Sequence, residues 1–339
     1  MTEKKAIIIA ALLGGIVLML LIVAIQPVTR FEDEYPMTAV SGPAASDGIM
    51  DTQTNTSGEE SPSALPSASE NPEPVPTEEP VLSATGIPCV NPEGNTLETR
   101  VNTPDGFTRT KEDINGLGTY LRDFKLKKDG SPVLLYNKQE KENQYAHVAV
   151  FKLPLEKKDL QQCADSVMRV YAEYFRSKGE YSRISFSLND DFKASYDKWR
   201  EGYRIYESGS GYEWDDVADF DESNAAFKEF MRIVFSYAGT YSLDTDSEKV
   251  EKTEDIQIGD VFLQAGSPGH VVMVVDLCED ANGRKAFLLA QGYMPAQQFH
   301  LLKNPAHEND PWYYVDEVTY PFDTPEYTFE EPCLRRMNY

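Results

Sequence analysis

The sequence predicts an α+β protein, an amphipathic helix packed on an antiparallel sheet, set behind an apolar N-terminal segment and a low-complexity linker. Three observations lead there. Residues 6–25 form an unbroken uncharged run (AIIIAALLGGIVLMLLIVAI), and residues 26–86 are rich in Ser, Pro, Thr and Glu. The first half of the remainder carries two apolar patterns of helical period. The second half carries alternating strands bounded by Gly and Asn-Gly turns.

Composition narrows the function classes. The 339 residues hold 32 Lys plus Arg against 56 Asp plus Glu, a net charge of −24, with four His. A nucleic-acid binder needs a basic footprint to displace counterions, so no nucleic-acid partner is expected. Hydrophobic residues make up 41 % and include 19 Tyr and 16 Phe, enough for a sizeable core.

The order of segments sets the expected location. Twenty residues at ~1.5 Å each span ~30 Å as a helix, the thickness of a bilayer core. Lys4 and Lys5 precede the run and Glu32, Asp33 and Glu34 follow it. The positive-inside rule then makes residues 1–5 a cytoplasmic stub, residues 6–25 a single-pass transmembrane anchor, and everything after extracytoplasmic. A cleaved signal peptide followed by secretion is the alternative. Residues 37–86 contain no Lys, Arg or aromatic side chain. Such a segment does not bury enough apolar surface to repay the entropy of ordering, so residues 26–86 read as a disordered spacer.

Residues 87–339 read as one globular domain. A strand is expected at 147–153 and a helix at 159–176, whose Leu160, Cys163, Ala164, Val167, Tyr171, Tyr174 and Phe175 share a face. Asp159 is its expected N-cap, with Gln162 three residues on. A strand at 183–188 and a second helix at 223–238 follow. The meander then begins: a Gly259-Asp260 turn, a strand at 261–263, a turn at 266–269, a strand at 270–277, an Asn-Gly hairpin turn at 280–283, and strands at 286–293 and 312–318.

One constellation in this plan suits nucleophilic chemistry. Cys163 falls in the first turn of its helix, where the dipole favours a thiolate. His270 opens a strand straight after a Gly-rich turn, a place from which an imidazole projects into a cleft. Pairing across the hairpin sums to 565 for a two-residue turn or 563 for a four-residue loop. Either register puts Gln291 on the face of His270, opposite Val274 or Val272, as the residue that orients the ring. Tyr293 shares that face. The bland reading of Cys163 is a packed core thiol.

The order of helix-borne Cys163, then Gly259-Asp260-Val261-Phe262, then Gly269-His270-Val271-Val272-Met273-Val274 resembles the papain-like fold of NlpC-type endopeptidases and CHAP-type amidases. Here the third residue is Gln, and the 107-residue separation of Cys163 and His270 holds an insertion. Over the whole globular part the chain resembles the domain of unknown function 4846 family, a bacterial, envelope-facing group. That resemblance rests on Gly118-Thr119-Tyr120-Leu121-Arg122, Gln162-Cys163-Ala164-Asp165-Ser166, residues 196–204, Pro268-Gly269-His270 and residues 291–297. The first resemblance implies a papain-like cysteine hydrolase, a peptidase or amidase. The second brings no established activity and implies an envelope-facing place, hence an extracytoplasmic enzyme with a cell-envelope peptide or glycan as substrate. A non-catalytic glycan- or peptide-binding module of the same fold is the alternative.

Trp199 and Arg204, beside Tyr203, are candidates to stack on a sugar or clamp a carboxylate, and Tyr293 is a third candidate substrate contact. No cofactor is expected. His300 and His307 lie seven apart in a Pro- and Asn-containing loop, a poor spacing for zinc. Cys89 and Cys333 lie near the two ends of the domain and are a candidate disulfide.

Overall fold

The structure, a computed structural model, describes residues 88–188, 192–209 and 211–339. These lie within one compact unit, Pro74–Tyr339. The expected stub, anchor and spacer at 1–5, 6–25 and 26–86 fall outside the described residues. Among the described residues no helix is long and apolar enough to cross a membrane.

The first half is helix-rich, as expected. It comprises α1 (Leu97–Arg100), β1 (Phe107–Arg109), α2 (Leu117–Arg122), β2 (His147–Val150), α3 (Cys163–Lys178), the small hairpin β3 (Ser185–Ser187) and β4 (Lys193–Ser195), and α4 (Tyr196–Arg200). A second hairpin, β5 (Tyr203–Ser208) and β6 (Gly211–Asp216), precedes α5 (Asn224–Tyr237) and α6 (Thr240–Thr245). Helix α5 matches the periodicity and is capped by Ser223, whose side chain accepts the Ala226 N–H. Its Phe227, Phe230, Met231 and Val234 are sealed in the core. Each contributes roughly 1.5–3 kcal/mol by leaving water.

The second half supplies most of the sheet: β7 (Ser247–Lys249), β8 (Val261–Gln264), β9 (His270–Asp280), β10 (Lys285–Gln291), β11 (His300–Leu302), β12 (Tyr313–Tyr314) and β15 (Leu334–Met337). The order is β2-β11-β10-β9-β8-β15-β7, with β1 on β9 and β12 on β10, all antiparallel. A two-stranded ribbon, β13 (Phe322–Asp323) and β14 (Thr328–Phe329), lies apart from it. The strand expected at 312–318 is only two residues long. A 3-10 turn over Val315–Glu317 ends it and sends Asp316 and Glu317 out to pair with Arg284.

Both faces of the sheet are covered. On one, Val271, Met273 and Val275 pack with α3 and α5 in the larger apolar cluster. On the other, Val272, Val274, Phe287 and Leu289 pack with Phe322 and Phe329 in a smaller one. Both faces of β9 are therefore apolar, which is why its sequence is a continuous hydrophobic run.

Next to the turn the hairpin register lies between the two expected ones; beyond a bulge it is the register expected for the four-residue loop. Lys285 pairs with Glu279 and Leu288 with Asp276, but Leu289 pairs with Val274 and Ala290 with Met273. Val275 is the extra residue of a β-bulge. Without it, Gln291 would oppose Met273 on the helix-covered face. With it, the register carries Gln291 opposite Val272, on the face of His270, because a one-residue slip exchanges the faces of a strand.

Candidate functional site

Cys163 is the first residue of α3, three positions nearer the helix start than the expected cap implied. Gln162 is the N-cap, and the Asp165 carboxyl accepts its backbone N–H at 3.0 Å. Asp159 is not the cap. Its carboxyl instead accepts the Ala296 N–H at 2.6 Å, tying the loop before α3 to the segment after β10. The helix start also presses directly on Gly292, where a Cβ would sit 2.2 Å from Ser166 Oγ and 2.8 Å from the Gln162 carbonyl.

The thiol is 6 % exposed and lines a cavity of about 540 Å³ with Gln162, Asp165, Thr240, Pro268 and Met294. The backbone N–H groups of Cys163, Ala164 and Val271 face the sulfur and favour its thiolate. Burial, reinforced by the nearby Asp165, outweighs them and pushes the thiol up to about 11. This corrects the expectation that the helix dipole sets its charge: the dipole acts here on a sulfur that has lost its water. Asp165 is itself sealed, and burial raises its carboxyl well above the usual range.

His270 does not project into the cleft. It is 2 % exposed and does not line the cavity. Its ring is held between Tyr293 and Tyr327, each with its centroid 4.8 Å away. Burial lowers the imidazole to about 4 despite its bond to Gln291 and the nearby Glu326. His270 follows the side of Val272 and Val274, whereas α3 rests on that of Val271 and Met273. The Val271 amide, next to His270 along β9, faces the sulfur, and Tyr293 and Tyr327 lie near both groups.

The expected orienting bond is present. His270 Nε2 and Gln291 Oε1 are 2.8 Å apart, and Gln291 is fully buried. Beyond it lies a polar cluster that sequence reasoning did not anticipate. Gln291 Nε2 donates to Glu326 at 2.9 Å, Glu326 forms an ion pair with Lys141, and buried His300 lies 3.5 Å from Gln291 Nε2. Nothing in local spacing signals Lys141 or Glu326, which come from polar loops 185 residues apart. His300 opposes Gln291 directly across β11 and β10, a register that carries it into this cluster rather than toward His307.

Residues 97–336 match the family described as Domain of unknown function (4846). The chain belongs to that family. No curated protein and no solved structure matches it. The likeness to papain-like hydrolases has no counterpart in these comparisons.

Of the remaining family residues singled out in the sequence, Arg122 is structural. With Arg109 it neutralises buried Asp276, each through Nε at 2.7 Å. Trp199 is 2 % exposed, with the Arg204 guanidinium 4.3 Å above its ring. Arg204 donates to the carbonyls of Trp199 and Tyr203. The guanidinium is thus occupied within the pair, the buried Trp199 Nε1 has no hydrogen-bond partner, and neither residue lines the cavity beside Cys163. Tyr293 does belong with the site: its hydroxyl donates to the Glu326 carbonyl and its ring packs on His270. All four cysteines are free, so Cys89 and Cys333 do not join the domain's ends.

Proposed function

We propose that the chain is an extracytoplasmic, membrane-anchored cysteine hydrolase with papain-like chemistry, a peptidase or amidase acting on amide bonds of the cell envelope. One observation carries the reading: a cysteine at the first position of a helix has its sulfur facing the amide next to a strand-opening histidine, and that histidine's Nε2 meets a buried glutamine at 2.8 Å. The anchor and location rest on residues 6–25 and their flanking charges.

Cys163 Sγ attacks the amide carbonyl carbon while its proton passes to His270 Nδ1. Backbone N–H groups at the start of α3 receive the oxyanion. The imidazolium returns the proton to the leaving nitrogen as the C–N bond breaks, leaving a thioester. A water deprotonated by His270 then releases the acid and restores the thiol. With the thiol at about 11 and the imidazole at about 4, both are neutral at rest. Transferring the proton ahead of attack costs on the order of 10 kcal/mol before the attraction of the resulting ions is counted. Proton transfer is therefore concerted with attack, on a substrate that has displaced the covering groups.

The test is amine release from peptidoglycan peptides by the full chain, its Cys163→Ala variant and its His270→Ala variant. Both variants lose activity if the reading is right; an unchanged rate in Cys163→Ala overturns it. The burial of sulfur and imidazole favours a second reading, a non-catalytic peptide- or glycan-binding module. Under that reading the peptides bind, no amine appears, and Cys163 alkylation by iodoacetamide is the same with and without His270.

A further inference from the structure

The residues behind Gln291 have no role in the scheme above, yet their chemistry is directional. A carboxylate only accepts hydrogen bonds. Glu326 Oε2, 2.9 Å from Gln291, therefore faces an amide N–H. The second acceptor follows from His300. Its Nδ1 lies 2.8 Å from the Gln298 carbonyl, which also only accepts, so Nδ1 carries the ring proton. Burial keeps that ring neutral, which leaves His300 Nε2 as a lone pair 3.5 Å from the same Gln291 nitrogen. Both hydrogens of the Gln291 amide thus point away from His270, and its oxygen points toward it.

We propose that Glu326, assisted by His300, is a positioning residue that sets the tautomer of His270 through Gln291. Facing a carbonyl oxygen at 2.8 Å, His270 Nε2 must carry the proton. Nδ1 is then the bare nitrogen, the state a base for the Cys163 thiol requires. Reversing the Gln291 amide would put the proton on Nδ1 and remove the base without moving any backbone. Lys141 holds the Glu326 carboxylate in its charged, accept-only form, and Asn143 donates to its other oxygen at 3.2 Å. This inference rests on the hydrolase reading only for its consequence, since the tautomer itself is measurable without activity.

The experiment is nitrogen NMR of histidine-labelled full chain, with each of the four rings assigned by single substitution. Wild-type protein is expected to show His270 solely as the Nε2–H form. Lys141→Arg keeps the charged acceptor and retains that form. Lys141→Met/Glu326→Met removes the ion pair without stranding a charge, and is expected to show both tautomers. Cys163 alkylation by iodoacetamide should then fall in proportion to the Nε2–H fraction lost, about twofold for an even mixture. An Nδ1–H signal in wild type overturns the proposal whether or not the variants fold, and so does a single Nε2–H form in the folded double variant. If the tautomers behave as expected but His270→Ala leaves alkylation unchanged, the hydrolase reading fails and the positioning role stands.

Discussion

His270 Nε2 and Gln291 Oε1 meet at 2.8 Å because Val275 is extra in the strand that carries His270. Regular pairing through the whole hairpin would have placed the two side chains on opposite faces of the sheet. The bulge thus joins an imidazole to the amide that bonds it, and that amide donates in turn to Glu326.

Cys163 should react as a buried thiol, not as one arm of a preformed ion pair. Asp165, Tyr293 and Tyr327 are its titratable neighbours, and the amides of Cys163, Ala164 and Val271 face it. With the thiol near 11, iodoacetamide alkylation should rise about tenfold per pH step between pH 7 and 10. A flat profile already established by pH 6 would reveal a thiolate–imidazolium pair instead.

The seat of Cys163 depends on one absent side chain. Gly292→Ala puts a methyl 2.2 Å from Ser166 Oγ and 2.8 Å from a backbone carbonyl, which does not yield as a flexible side chain does. The expected cost is about 1–3 kcal/mol in urea denaturation, with the start of α3 displaced. An unchanged midpoint would mean that the helix is not pressed on β10 as described.

Acid should destabilise the domain before its carboxylates titrate. Burial lowers His270 and His147 to about 4, against an unfolded value near 6.5. Between those values the unfolded chain binds the protons and the native one does not, so stability is fully present above 6.5 and falls toward pH 4. Each contributes roughly 3 kcal/mol to that loss. Around His270 stand Glu326, His300 and Lys141; around His147 stand His300, Lys141 and the Ser131 carbonyl. Glu326, whose carboxyl is held down to about 2 against its burial with Lys141 as its ion-pair partner, adds a second loss at lower pH. His147→Phe should flatten the first step in urea midpoints measured from pH 7 to 4; an identical slope would refute the assignment.

Asp276 anchors the domain from within β9. It is fully buried and takes both Arg109 Nε and Arg122 Nε at 2.7 Å. Asp276→Ala leaves two guanidinium groups without their carboxylate and should cost about 3–5 kcal/mol. Calorimetry or urea denaturation checks this, and a loss under ~1 kcal/mol would show that the arginines find other acceptors.

Local pattern alone determined the α+β plan, helix α5 with its Ser223 cap, the run of β9 and the candidate trio Cys163, His270 and Gln291. Each is written in nearest neighbours along the chain: a 3.6-residue period, a capping hydroxyl, a Gly-bounded strand. Tertiary structure alone decided the rest. The bulge at Val275 shifts the register by one, and no propensity encodes it. The cap moved from Asp159 to Gln162 because Asp159 found the Ala296 amide across the fold. Burial, which depends on what packs above a residue, set the charge of Cys163 and His270 against the dipole. Lys141 and Glu326 meet across 185 residues, and only the closed sheet and its covering loops bring such distant polar groups to one amide.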